Sequence, residues 1–235
     1  EKMGITSEFI QLENGFSRIN IKLKSIDGTE INGTGPSIGN EELERLLKKL
    51  DTLKKGDVLI LAGSIPASLP DSIYSDIMER LEEKEVMIVV DATKDLLVNV
   101  LKYHPFLIKP NSEELSHLMG RALDSQQELT AAARELLQTG VQKVIVSMGS
   151  RGMLHVLPEQ TIFVPGLRVP VKDTVGAGDA VIAALAVAEE RGLTLEETLR
   201  LSTAAGAASV MCTGTQAASL ETIQQLMEQV TYREL

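Results

Sequence analysis

The chain has 235 residues, 43% of them hydrophobic and 24% charged, enough apolar material for a sizeable core and too much for a disordered, collagen-like or repeat architecture. Acidic side chains outnumber basic ones 33 to 23, and the resulting charge of −10 opposes a nucleic acid or an anionic membrane as partner. A single cysteine, Cys212, precludes an internal disulfide and points to a reducing, cytoplasmic setting, and no apolar run approaches the roughly 20 residues of a membrane span.

The opening Glu1-Lys2-Met3-Gly4 has none of the features of a signal peptide. Glu8 to Leu12 reads as a strand, Asn14-Gly15 as a tight turn, and Phe16 to Lys24 alternates. Ile19, Ile21 and Leu23 fall on one face of that strand, and Arg18, Asn20, Lys22 and Lys24 on the other. With a turn at Asp27-Gly28 and a third strand over Thr29 to Asn32, residues 8–35 are predicted to form a small antiparallel meander. One of its faces is apolar and the other cationic. Asn32-Gly33-Thr34-Gly35-Pro36 breaks the pattern and marks a hinge into residues 36–235.

Beyond the hinge, helical periodicity alternates with short buried runs, the pattern of βα units around a mostly parallel sheet. Helices are predicted over Glu41 to Leu50, Leu69 to Glu83, Asp95 to Leu101, Ser112 to Met119, Gln126 to Thr139, Gly178 to Arg191, Thr194 to Met211 and Leu220 to Gln229. Buried strands are predicted at Val58 to Leu61, Val86 to Val90, Phe106 to Ile108 and Val144 to Val146, and a hairpin of Met153 to Leu157 with Thr161 to Val164. Ligands of open α/β sheets bind beyond the carboxyl ends of the strands. Those ends read Ala62-Gly63-Ser64, Asp91-Ala92-Thr93, Lys109-Pro110-Asn111 and Ser147-Met148-Gly149, and all are candidates to line one cleft.

The most informative segment is Asp173-Thr174-Val175-Gly176-Ala177-Gly178-Asp179, which runs into the apolar helix beginning Ala180-Val181-Ile182. Its glycines let backbone approach a ligand, and first-turn amides without intrahelical partners form an anion cradle. Asp179, ionised beside that cradle, is placed to take a hydroxyl proton; a simple turn with a capping aspartate has the same sequence. It is not a dinucleotide fingerprint, because the sixth position of Gly-x-Gly-x-x-Gly is Val181, and the chain has no Walker-type lysine motif. Asn111 and Glu114 have capping-box spacing, which also suits a carboxamide and a carboxylate ordering the water shell of Mg²⁺. Ser147 to Gly152 reads either as a tight turn or as a loop meeting a nucleotide. The small residues around Gly206 either pack closely on a neighbour or leave room for a flat base. His104, His117 and His155 have no paired spacing that would favour zinc.

Together and in this order, these segments resemble the ribokinase-like (PfkB) family of carbohydrate kinases. Val175-Gly176-Ala177-Gly178-Asp179 is similar to its C-terminal signature, Asn111-x-x-Glu114 to its magnesium-associated motif, and Ser147 to Gly152 to its nucleotide loop. The resemblance implies a three-layer α/β sandwich with a mostly parallel central sheet and a small antiparallel β lid. Within the family, Ser17 to Lys24, Glu30 to Pro36, Leu61 to Pro66 and Ile108 to Asn111 are similar to bacterial members that phosphorylate fructose 1-phosphate. The activity implied is phosphoryl transfer from ATP to the C6 hydroxyl of fructose 1-phosphate. Tagatose 6-phosphate as acceptor, or a non-catalytic nucleotide-binding fragment, are the alternatives.

By matching positions, Asp179 is the implied base and also borders substrate and ATP, and Gly176, Ala177 and Gly178 form the anion hole. Ser147, Met148, Gly149, Ser150, Arg151 and Gly152 are implied to contact ATP with Gly178 and Gly206, while Asn111 and Glu114 hold Mg²⁺ through water. Arg18 matches the position that binds the phosphate already on the sugar, a planar fork suited to that anion. Lids of the family pair between subunits, which implies a homodimer through Ile19, Ile21 and Leu23. Family members also carry roughly 70 more residues on the N-terminal side, a couple of βα units by ordinary element lengths. That segment holds a first strand, an aspartate for the sugar and a Gly-Gly-Lys-Gly stretch, none of which occurs in this sequence, so part of the sugar side is expected to be missing.

Overall fold

A computed structural model describes residues 4–23, 29–93 and 95–235. Two strands, β1 (Asn20–Leu23) and β2 (Thr29–Asn32), pair antiparallel in a sheet of their own. Gly33 N donates to Ile19 O at 3.0 Å and extends the ladder by one rung. The expected strand at Glu8 to Leu12 does not form. No neighbouring strand pairs with it among the described residues, and Phe9 is 94% exposed. Apolar patterning without a ladder partner does not stabilise extended backbone. The turn expected at Asp27-Gly28, and Lys24, lie outside the described residues.

The body is a seven-stranded mixed sheet in sequential order. β3 (Val58–Ala62), β4 (Met87–Asp91), β5 (Leu107–Ile108) and β6 (Lys143–Ser147) run parallel. β7 (Met153–Val156), β8 (Thr161–Val164) and β9 (Arg233–Glu234) add antiparallel. The helices are α1 (Asn40–Leu50), α2 (Ile73–Leu81), α3 (Asp95–Val100), α4 (Ser112–Met119), α5 (Gln126–Leu137), α6 (Ala177–Glu190), α7 (Leu195–Val210) and α8 (Leu220–Met227). Ser125 and Thr194 close capping boxes with Glu128 and Glu197, which fixes where α5 and α7 begin.

Alternation along the strands divides the interior into two cores. Leu61, Ile88, Val90, Ile108, Val144, Val146 and Leu154 face one way, onto Ile77, Leu97, Leu115 and Leu129 of α2 to α5. Val89, Leu107, Ile145, Met153 and Ile162 face the other way, onto Val181, Ile182 and Leu185 of α6 and Leu199 of α7. The result is three layers, helices on both faces of the sheet, as the family resemblance implies. Each fully buried Leu or Ile contributes about 2 kcal/mol of transfer free energy, so the sheet centre is where the fold is held.

His155 of β7 lies opposite Ile145 and Ile162, fully buried, and its Nε2 has no hydrogen-bond partner. Burial, with Lys143 adding to it, lowers its pKa from 6.5 to about 3. Between those values the unfolded chain binds a proton that the folded chain excludes, so the stability tied to His155 is fully present above pH 6.5 and is lost as pH falls. Denaturant titration is expected to show a loss of about 2 kcal/mol at pH 5 relative to pH 7.5 from this residue, and His155→Leu is expected to remove that component. An unchanged pH slope in the variant would show that the loss comes from elsewhere.

Candidate active site

The parallel register brings the strand ends together. Ala62 lies beside Asp91, Ile108 beside Val90 and Val144, and Asn111 forms a bridge with Ser147. All four predicted strand ends therefore open on one side of the sheet. Tyr74 of α2 steadies the first of them, its hydroxyl donating to Ala62 O at 2.7 Å and to Gly63 O at 3.2 Å. Ser64, just beyond, accepts a hydrogen bond from Nη1 of Arg18, whose Nε also donates to Asn20 Oδ1 at 2.8 Å. A guanidinium from the edge of the small sheet thus reaches the mouth of the cleft.

Asn111 caps α4. Its Oδ1 accepts from the amides of Glu113 at 2.9 Å and Glu114 at 2.8 Å, and Glu114 Oε2 accepts from the Asn111 amide at 2.8 Å. The capping reading of this motif is realised. Glu114 Oε1 stands outside the box as a free acceptor for a metal-bound water, while the Asn111 carboxamide oxygen is already engaged by the two amides. No cluster of three or more His, Cys, Asp or Glu side chains suited to a metal occurs among the described residues. A cation that keeps most of its own waters fits such a donor set, and one needing a full protein cage does not.

At the glycine motif, Gly176 takes a left-handed conformation (φ 80°) and is the N-cap of α6, with no side-chain cap. In the first turn, the Ala177 amide reaches Thr174 O at 3.4 Å, and Val175 N donates to Asp173 Oδ1 at 3.2 Å. Asp179 is the third helical residue and is exposed. A Cβ on Gly178 would lie 3.3 Å from Nζ of Lys109, so the lysine at the end of β5 abuts the cradle. That lysine is 7% exposed and pairs with Asp91 Oδ1 at 3.4 Å. Burial raises the Asp91 pKa, the Lys109 charge opposes that rise and the nearby Asp179 adds to it. The Tyr74 phenol is likewise raised, by burial and then by Asp91.

The loop after β6 closes tightly, with Met148 N donating to Gly152 O at 2.9 Å around a 3₁₀ turn over Gly149–Arg151. Ser150 and Arg151 line an open groove of about 790 Å³ opposite Leu167 and Arg168. A second cavity, about 510 Å³ and mainly apolar, lies between α6 and α7, bordered by Gly176, Asp179, Ala205, Ser209 and Gln216. Gly206 is turned toward α6, where a Cβ would lie 2.8 Å from Cγ2 of Val181; its neighbours Ala205 and Ser209 border the cavity. Sequence reasoning named Ser64, Asp91 and Lys109 only as strand-end residues lining the cleft, assigned them no individual role, and missed Tyr74. The available signal was a charged or polar residue ending an apolar strand.

Residues 1–223 match the pfkB family carbohydrate kinases. The chain is 36% identical over 240 residues to 1-phosphofructokinase of Bacillus subtilis (strain 168), covering 97% of this chain and 78% of that one. It is 33% identical over 212 residues to D-tagatose-1-phosphate kinase of Bacillus licheniformis, covering 89% of this chain and 69% of that one. Phosphofructokinase-2 of Escherichia coli, solved with substrates and products, superposes with a TM-score of 0.82 at 26% identity, over 90% of this chain and 70% of that one. A family match over nearly the whole length, on a three-layer sheet whose strand ends meet a glycine cradle, leads to one assignment: the chain belongs to the pfkB family of carbohydrate kinases, enzymes that phosphorylate sugars.

Proposed function

We propose that the chain transfers the γ-phosphoryl group of ATP to the C6 hydroxyl of fructose 1-phosphate, giving fructose 1,6-bisphosphate and ADP. The observation that carries this reading is the pairing of an exposed carboxylate, Asp179, with the anion cradle at the start of α6, at the carboxyl end of the parallel strands. In the proposed reaction Asp179 accepts the C6 hydroxyl proton as the oxygen attacks phosphorus and the bond to the ADP oxygen breaks. The transition state of phosphoryl transfer is loose, so orientation and charge neutralisation matter more than base strength, and an ionised carboxylate suffices. Backbone amides around Gly176, Ala177 and Gly178 receive the charge of the transferring group. Ser147 to Gly152 and the α7 segment around Gly206 hold the nucleotide. Asn111 and Glu114 would hold Mg²⁺ through water, and the ion would supply charge neutralisation between phosphate oxygens.

Arg18 is proposed to bind the phosphate already on the sugar. Its hydrogen bond to Ser64 supports this, because it holds the exposed guanidinium at the mouth of the cleft. The small sheet is proposed as a lid that pairs with its counterpart in a second copy. Ile19 (67% exposed), Ile21 (48%) and Ile31 (56%) support this as an uncovered apolar face, and a tetrameric inhibited form is described for E. coli phosphofructokinase-2.

A second acceptor is favoured by the similarity to D-tagatose-1-phosphate kinase, since tagatose differs from fructose only in the configuration at C4. A coupled ADP-release assay with fructose 1-phosphate, tagatose 1-phosphate and tagatose 6-phosphate separates them. The expected outcome is the highest kcat/KM for fructose 1-phosphate. Arg18→Ala is expected to raise KM for the sugar phosphate by about 10- to 100-fold, the size of a lost charge-assisted bidentate contact, with a smaller effect on KM for ATP. An unchanged sugar-phosphate KM would remove Arg18 from the site.

A further inference from the structure

Tyr74 of α2 packs its ring on the core between the sheet and α2 to α5, a place that a phenylalanine would fill equally well. Its hydroxyl goes instead to the backbone just past β3, donating to Ala62 O at 2.7 Å and sharing the proton with Gly63 O at 3.2 Å. The chain turns at this point. Gly63 has φ 87°, and a Cβ on it would meet nothing within 4 Å, so packing around that residue does not hold the turn. Hydrogen bonds hold it, the phenol from α2 and Gly63 N to Asp91 O at 3.3 Å from β4. Burial, and then Asp91, raise the Tyr74 pKa, so the phenol keeps the proton it donates.

The loop that begins at this turn, residues 63–70, carries a hydrogen bond to each flank of the small sheet. Ahead of β1, Arg18 Nη1 donates to Ser64 Oγ. After β2, Ile38 N donates to Ser68 Oγ at 2.8 Å. Two hydroxyls on one short loop thus meet the chain on either side of the β1–β2 pair. A displacement of the turn moves both contacts. The loop after β6 and the start of α6, proposed above to meet ATP, are built on other elements and do not share it.

We propose that residues 63–70 are the seat of the small sheet and that Tyr74 is the positioning residue that fixes this seat, so that its hydroxyl sets affinity for the phosphosugar and not for ATP. The proposal rests on the kinase reading above and on the place given there to Arg18. Tyr74 touches neither substrate in it. The hydroxyl acts through the turn, Ser64 and Arg18 in series, and a small displacement at the first is passed to the guanidinium at the last.

Steady-state kinetics on Tyr74→Phe, which keeps the ring and removes the hydroxyl, test this. KM for fructose 1-phosphate is expected to rise about 3- to 10-fold, the size of one lost hydrogen bond, with KM for ATP and kcat within about twofold. In an Arg18→Ala background the same substitution is expected to change the sugar-phosphate KM by less than about twofold, because both act through one contact. Ser68→Ala, which frees the other flank, is expected to shift the same KM in the same direction. A phenol that serves stability alone gives another pattern: a lower melting temperature with both KM values unchanged or both raised together. Either result overturns the proposal, as does a Tyr74→Phe variant that does not fold or one whose full effect persists without Arg18. An unchanged sugar-phosphate KM in Ser68→Ala or in Arg18→Ala overturns it from the other end of the series. Failure of the fructose 1-phosphate reading looks different: wild type then prefers tagatose 1-phosphate or tagatose 6-phosphate, and the split between the two KM values is read with that acceptor. Turnover of none of the three ends both.

Discussion

Asp179→Asn is expected to lower kcat with fructose 1-phosphate by about 100- to 10,000-fold, the usual contribution of a positioned general base. Affinity for ATP should hardly change, because the cradle is built from backbone amides that the substitution leaves in place. Thermal stability should hardly change either. Asp179 is exposed, is the third residue of α6 rather than its cap, and the helix starts on Gly176 without a side-chain cap. The competing reading, in which this aspartate merely favours the helix start, gives the opposite result: lower stability with turnover preserved. Comparing kcat with melting temperature for the one variant decides between them, and retained turnover would end the base assignment.

The second large effect is expected at Gly152, at the close of the loop after β6. Its φ is 107°, and a Cβ there would lie 2.0 Å from Val164 O and 2.6 Å from Gly166 N. Both neighbours are backbone, so neither can swing aside as a long side chain would. Gly152→Ala must move β8 or open the turn that returns Met148 N to Gly152 O, at an expected cost of about 3 kcal/mol in urea unfolding, with nucleotide affinity reduced as the loop shifts. Gly149 is the internal control. It also has positive φ, 59°, but faces open space, so Gly149→Ala is expected to cost only about 1 kcal/mol. Equal effects at the two positions would show that backbone strain, and not the contact with β8, sets the requirement for glycine.

The readable parts of the site were those whose chemistry is contiguous in the chain. The cradle from Val175 to Asp179 is one short segment with glycines at the positions that need them, and the box of Asn111 and Glu114 is complete within one helical turn. Helix starts marked by Ser125 and Thr194 were legible for the same reason. What sequence could not supply was adjacency between strands. Asp91 meets Lys109 only because β4 and β5 are neighbours in register, and Arg18 meets Ser64 only because the segment before β1 lies at the end of β3. The predicted strand from Glu8 failed from the converse cause: local pattern favoured extension, but no ladder partner lies beside it among the described residues, and Glu8 instead takes the Lys49 ammonium at 3.0 Å. β9 escaped notice because Arg233 and Glu234 are both exposed and show no apolar alternation.

The sheet proposed as a lid has two strands among the described residues, and Ile19, Ile21 and Ile31 on it are exposed. A hairpin of that size is marginal in water unless something packs on it. In the proposed pairing, the partner's copy is that covering, so folding of the lid and association of the subunits become one equilibrium governed by mass action. Arg18 stands at the edge of this sheet, and its proposed grip on the sugar phosphate would inherit that equilibrium. Dilution would then weaken affinity for the sugar before it touched the ATP side, whose parts are built into the ends of a rigid sheet. The enzyme's two substrates would in effect be held by structures of different order: one fixed by the fold of a single chain, the other by how many chains are present.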